Sequence, residues 1–155
     1  MNYEIKELTK DSLQELVKLE QACFEHPWTE AMFQGDLDNP LTVYYGAFFG
    51  KAPVGYIGMW CVADEGQITN VAVHPDYRRQ GLAQQLIGKL LAVAKEKQLA
   101  CLTLEVREHN EKAICLYEKM GFLTVGRRKG YYEGKEDALL MTLFLEENEG
   151  EKNFE

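Results

Sequence analysis

Apolar positions recur along the chain at two periods, and the switches between them mark the elements. Tyr3-Glu4-Ile5-Lys6-Glu7-Leu8 partly alternates, the period of a first strand. Leu13, Leu16, Val17, Leu19, Cys23 and Phe24 then recur at helical spacing, with Ser12 placed to cap that helix and Pro27 to stop it. Thr29 is placed to cap a second, short helix carrying Met32, Phe33 and Leu37. Val43–Phe49 and Val54–Val62 are rich in β-branched and aromatic residues, and the turn residues between them make a hairpin. Asp64-Glu65-Gly66 turns the chain into a third such strand, Gln67–His74. An amphipathic helix follows over Gly81–Gln98, with Leu82, Leu86, Leu90, Val93 and Ala94 on one face. A strand (Cys101–Arg107), a helix (Glu111–Met120) and two last strands (Leu123–Lys129 and Ala138–Leu145) complete the order.

A long helical crossover makes the strands on either side of it parallel or nearly so, whereas hairpins are antiparallel. The order therefore predicts an α+β fold: a mixed, mostly antiparallel sheet with a central near-parallel strand pair and helices on both faces. Nothing before residue 146 reads as a linker, so residues 1–145 are expected to form a single domain. The acidic tail over 146–155, beginning Glu146-Glu147-Asn148-Glu149, is expected to be a solvated end.

Composition narrows the function classes. The formal charge of −8 argues against nucleic acid as a partner, because phosphate-backbone binders carry a basic face. No apolar run approaches the roughly 18–20 residues that cross a bilayer, so no membrane role is expected. The first residues lack the basic and apolar blocks of an export signal, which predicts a cytoplasmic protein. Its four cysteines, Cys23, Cys61, Cys101 and Cys115, lie far apart and without histidine partners at ligand spacing. They are expected to be buried, reduced thiols, with no metal site. The sequence fixes no oligomeric state.

The stretch richest in chemistry is Val71-Ala72-Val73-His74-Pro75-Asp76-Tyr77-Arg78-Arg79-Gln80-Gly81-Leu82-Ala83-Gln84. A strand runs into a turn, two arginines, and a glycine that opens a helix. The N–H groups of a helix's first turn have no internal partners, and the helix dipole makes that end positive. Glycine lets an anion approach the main chain closely, and the arginines add charge. Taken alone, these features fit a pyrophosphate site and equally a tight helix start with solvated arginines.

Arg78-Arg79-Gln80-Gly81-Leu82-Ala83 resembles the R/Q-x-x-G-x-G/A signature of the GNAT family of N-acetyltransferases, with alanine where many relatives have a second glycine. Within the family the chain is similar to the RimI type, which acetylates the N-terminal alanine of bacterial ribosomal proteins. That likeness rests on His26-Pro27-Trp28-Thr29, Leu104-Glu105-Val106-Arg107-Glu108-His109-Asn110, Ala113–Phe122 and Arg128-Lys129-Gly130-Tyr131-Tyr132. It extends to Glu136-Asp137-Ala138 and Met141, and covers roughly residues 3 to 145. The resemblance implies acetyl-CoA as co-substrate and no metal. Its pantetheine would pair with the main chain of Val71, Ala72 and Val73. Its pyrophosphate would lie on the loop of Arg78, Arg79, Gln80, Gly81, Leu82, Ala83 and Gln84, with Asn110 also contacting the cofactor. It further implies Glu105 as general base, Tyr117 as general acid, and Trp28, Tyr131 and Tyr132 as contacts to the N-terminus of a protein substrate, a ribosomal protein.

Residue chemistry agrees with an α-amine as acceptor. Its pKa near 7.7–8.0 makes the neutral form cost only about 1 kcal/mol at pH 7, against about 4.6 kcal/mol for a lysine near 10.4. One carboxylate suffices for the first and is a poor base for the second. A phenol near 10 transfers its proton reluctantly to a thiolate near 8.5, so Tyr117 is expected to act mainly by hydrogen-bonding the leaving sulfur. Two rival readings differ in kind: acetylation of a small-molecule amine on the same fold, and an acetyl-CoA-sensing module without turnover.

Overall fold

The structure is a computed structural model that describes residues 3–145; the acidic tail lies outside the described residues. Along the chain run β1 (Glu4–Glu7), α1 (Leu13–Cys23), α2 (Glu30–Asp38), β2 (Thr42–Phe49), β3 (Ala52–Val62) and β4 (Glu65–Val73). They are followed by α3 (Leu82–Glu96), β5 (Cys101–Arg107), α4 (Glu111–Lys119), β6 (Leu123–Tyr132) and β7 (Glu136–Phe144). This is the order that the hydrophobic pattern predicts. The strands hydrogen-bond in the order β1-β2-β3-β4-β5-β7-β6. β4 and β5 are parallel, in register from Glu65↔Cys101 to Gln67↔Thr103, while β1/β2, β2/β3, β5/β7 and β6/β7 are antiparallel. The expected mostly antiparallel sheet with one parallel pair, flanked by helices, is what forms.

The described residues pack as two compact units, one comprising Tyr3–Cys61 with Ile68–Ala92, the other Val62–Gln67 with Val93–Leu145. In the first, Leu16, Leu19, Phe33, Tyr44, Tyr56 and Ala72 form a buried cluster in which Tyr44 and Tyr56 stack 6.2 Å apart. In the second, β5 alternates as a half-buried strand must: Leu102, Leu104 and Val106 are buried, while Thr103, Glu105 and Arg107 are more exposed. That alternation fixes which β5 side chains are open to chemistry.

Several local expectations change. Thr29 does cap α2, its hydroxyl taking the N–H of Met32 at 3.3 Å. Ser12 does not cap α1, because it closes a 3-10 turn (Lys10–Ser12) with ψ near 0 and lacks the extended backbone a capping hydroxyl needs. Helix α1 ends at Cys23, ahead of Pro27. The Tyr131-Tyr132 pair, beyond the predicted strand Leu123–Lys129, closes β6: Gly130 adopts φ +61, the register shifts, and Tyr132 pairs with Glu136. The irregularity lets the strand run on through Tyr132, three residues past the predicted end.

Of the four cysteines only Cys101 is buried; Cys23 and Cys61 are half-buried and Cys115 is exposed on α4. The expectation of four buried thiols fails because Cys115 follows Ile114 by one residue, about 100° around the helix from the half-buried face that Ile114 shares with Tyr117. Cys115→Ala should therefore change stability by no more than about 0.5 kcal/mol and leave turnover within about threefold, read by thermal denaturation and thioester consumption.

Candidate active site

The first unit carries the anion-binding features. β4 delivers half-buried Val71 and Val73 and buried Ala72 to the turn at Pro75–Tyr77. His74 Nδ1 accepts the Asp76 N–H at 3.1 Å and shapes that turn. Arg78 folds back, its Nε donating to the Val73 carbonyl at 2.9 Å, while Arg79 is exposed at φ +65. The Val73 carbonyl, expected to serve the cofactor, is thus engaged by Arg78. Gln80 receives a hydrogen bond from the Tyr3 hydroxyl, and Tyr3 sits edge-on to Tyr77 at 6.3 Å. The loop is therefore pinned at both ends before α3 begins.

Gly81 stands at φ +77, a conformation that favours glycine, and a Cβ built on it would meet nothing within 4 Å. Its carbonyl accepts the Gln85 N–H at 3.1 Å, so the helix starts here and the N–H groups of Leu82, Ala83 and Gln84 lie in the turn that has no intrahelical acceptors. Leu82 is buried, which limits any part it has in anion binding to its main chain. Open space over a positive-φ glycine at the positive end of a 15-residue helix fits a diphosphate.

The second unit carries the titratable groups. Glu105 lies on the exposed side of β5 with its side chain 28% accessible and an ion pair of 3.3 Å to Arg128 Nη2 on β6. The cation that meets it is therefore Arg128; Arg107 is committed to Glu136 at 3.1 Å. Arg107 also lies 4.1 Å above the Tyr132 ring and Arg128 5.5 Å above the exposed Tyr131 ring, the two tyrosines meeting edge to face at 5.1 Å. Tyr117 points from α4 toward Phe122, 5.8 Å between rings. Burial, then the neighbouring Tyr132, push its phenol above the ordinary tyrosine range, so it stays protonated at neutral pH. The Tyr132 phenol is itself raised by burial and then by the Glu105 charge. Asn110 is the N-cap of α4, its Oδ1 accepting the Ala113 N–H at 3.3 Å.

An ion network backs the tyrosine pair. Asp137 accepts the Gly130 N–H at 2.8 Å and pairs with Arg127 at 2.9 Å; Arg127 also meets Glu108. The Gly130 N–H first, and Arg127 second, hold the Asp137 carboxyl below its ordinary range. A folded value lower than the unfolded one gives stability that is present above about pH 4 and lost as pH falls through the folded value. Asp137→Asn should therefore be less stable than the parent at neutral pH and lose less on acidification below pH 4, as read by denaturation at several pH values.

Trp28, between α1 and α2, is half-buried against the first unit's cluster, 5.3 Å from Phe33, and its main-chain N–H donates to Glu20 Oε2 at 3.0 Å. Packing is therefore one of its roles. Glu20 itself was not distinguishable in the sequence: it sits in a charged helical stretch but is only 2% exposed, and accepts the Tyr56 hydroxyl at 2.6 Å. Among the described residues no group of His, Cys, Asp and Glu could hold a metal ion, and no helix is long and apolar enough to cross a membrane.

Comparison with known proteins bears on the same segments. The profile of the acetyltransferase (GNAT) family matches residues 13–122. Over 142 residues, 90% of this chain and 95% of the relative, the sequence is 35% identical to the ribosomal protein bS18-alanine N-acetyltransferase of Escherichia coli K12. The crystal structure of the ribosomal-protein-S18-alanine N-acetyltransferase from Escherichia coli superposes with a TM-score of 0.88 at 31% identity, covering 95% of this chain and 96% of that one. A chain of the NatC complex bound to Gag peptide and CoA superposes at 0.81 with 27% identity, over 94% of this chain and 100% of that one.

Proposed function

The chain belongs to the GNAT acetyltransferase family, and from that premise we propose that it acetylates the N-terminal α-amino group of a ribosomal protein, an alanine of bS18 or its equivalent, in the cytoplasm. The observation that carries the proposal is the near-complete structural likeness to the E. coli enzyme, 95% of the chain at a TM-score of 0.88. Both units would then serve one acetyltransferase domain over residues 1–145.

Acetyl-CoA, when bound, supplies an acetyl group activated as a thioester. The main chain of Val71–Val73 and of Leu82–Gln84, opened by Gly81, would hold it, with Arg79 and Asn110 as further contacts. Glu105 receives the proton of the substrate ammonium on a carboxylate oxygen, directly or through a water, exchanging its contact with Arg128 for one with the amine. That exchange is inexpensive, since an exposed pair of this kind is worth about 0–1 kcal/mol. Tyr117 keeps its proton and offers the O–H to the departing sulfur, as its raised pKa requires. Tyr131 and Tyr132, braced by two guanidinium groups at the end of β6, would present aromatic surface to the peptide, and Trp28 would be a further contact.

Incubation with acetyl-CoA and peptides that differ only in their first residue, read by mass, tests the proposal. Alanine-led peptides should be modified most rapidly. Equal labelling of every first residue would remove the ribosomal assignment, and labelling of none, with a small amine consumed instead, would favour the small-molecule reading.

A further inference from the structure

One buried carboxylate in the first unit takes no part in the chemistry derived above. Glu20, on α1, is 2% exposed, and charged side chains are rarely buried so fully unless partners satisfy them. Both of its oxygens are engaged. Oε1 accepts the Tyr56 hydroxyl at 2.6 Å, and Oε2 accepts the main-chain N–H of Trp28 at 3.0 Å. Tyr56, on β3, in turn accepts a hydrogen bond from Asn70 Nδ2 at 3.1 Å, and Asn70 immediately precedes Val71 on β4. The Glu20 carbonyl also takes the N–H of Phe24 at 3.0 Å. One residue therefore closes the Phe24–Trp28 loop at both ends, and its side chain ties that loop to the strand next to the cofactor segment.

The chemistry of the site calls for a carboxylate. Two donors converge on it, a main-chain N–H that cannot rotate and a hydroxyl whose oxygen already accepts from Asn70. A carboxylate offers acceptors on both branches, whereas an amide must turn its NH2 toward one of the donors. Burying a carboxylate is unfavourable unless these bonds are made, and an apolar side chain would fill a purely packed position at lower cost. The segment so held has an exposed Phe24, Glu25 and His26 at its tip and Trp28 at its base.

We infer that Glu20 is a positioning residue for the peptide substrate: through Trp28 on one side and Tyr56 and Asn70 on the other, it holds the Phe24–Trp28 loop in a fixed relation to β4 and so governs peptide affinity, not the chemical step. The inference rests on the proposed function, in which this loop flanks the peptide's N-terminus.

Glu20→Gln in the full chain tests it. An unsatisfied donor at either branch corresponds to roughly a tenfold effect. The peptide KM should therefore rise about tenfold, with kcat within about threefold and acetyl-CoA affinity within about twofold. Hydrogen exchange at the Trp28 amide should quicken at least about tenfold. Tyr56→Phe, which keeps the ring and removes the hydroxyl, should move KM and exchange in the same direction by about threefold, and serves if the glutamine variant does not fold. Faster exchange with an unmoved KM would overturn the inference, as would a fall in kcat or cofactor affinity as large as the rise in KM. A parent protein that acetylates no peptide would sink the functional reading, and this inference with it. A parent that does, with a KM indifferent to both variants, sinks this inference alone.

Discussion

Gly81→Glu should leave the chain folded and unable to bind acetyl-CoA measurably by calorimetry. Space is not the obstacle, because a Cβ at this position meets no atom within 4 Å. The obstacle is charge. The carboxylate would lie at the positive end of α3, where it can itself accept the free N–H groups and repel an incoming diphosphate. A second effect needs separating from it: a non-glycine residue at φ +77 costs about 1–2 kcal/mol of backbone strain. Gly81→Ala shares the strain without the charge, so it should lower stability by a similar amount and weaken binding far less. Circular dichroism checks the fold of both. Unchanged affinity in the glutamate variant would take this loop out of the cofactor site.

Glu105→Gln should bind acetyl-CoA normally and turn over about 10²–10⁴-fold more slowly at pH 7, the usual share of a general base. The substitution keeps the side chain's shape beside Arg128 and removes the charge. The deficit should shrink as pH rises toward 9, because an α-amine with a pKa near 8 is then mostly neutral without help. A lysine acceptor would show no such recovery below about pH 10. A pH–rate comparison of parent and variant on one N-terminal peptide therefore reports both the base and the kind of amine. Equal rates at pH 7 would make Glu105 a structural carboxylate.

Local chemistry made much of this legible in the sequence. The strand-to-helix passage from Val71 to Gln84 announces itself because glycine at a helix start and the strand's β-branched residues are short-range signals, and the structure places Gly81 at the helix origin as they imply. Glu105 on β5 and Tyr117 on α4 follow from periodicity alone as far as their elements are concerned. What periodicity could not supply is which partner each side chain meets. Arg128 and Glu105 are 23 positions apart and meet across strands β5 and β6, which β7 separates in the hydrogen-bonded order. Glu20 looks like any helical glutamate until Tyr56 and Trp28, each on a different element, are seen to converge on it. The Tyr131-Tyr132 pair lies past the predicted end of its strand, and only the register across β7, which shifts between Arg128 and Tyr132, shows that β6 runs on to include it. Cys115 is exposed despite its apolar neighbours, because a neighbourhood in sequence does not say which side of a helix a residue occupies.

The central claim, acetyl transfer to a protein α-amine, is tested most directly with a single peptide that carries both a free N-terminal alanine and an internal lysine. The peptide is incubated with the parent protein and acetyl-CoA at pH 7 and then fragmented in the mass spectrometer. One acetyl group, confined to fragments that contain the N-terminal nitrogen and absent when that nitrogen is blocked beforehand, is the predicted result. Acetyl on the lysine side chain, or continued labelling of the blocked peptide, would contradict it.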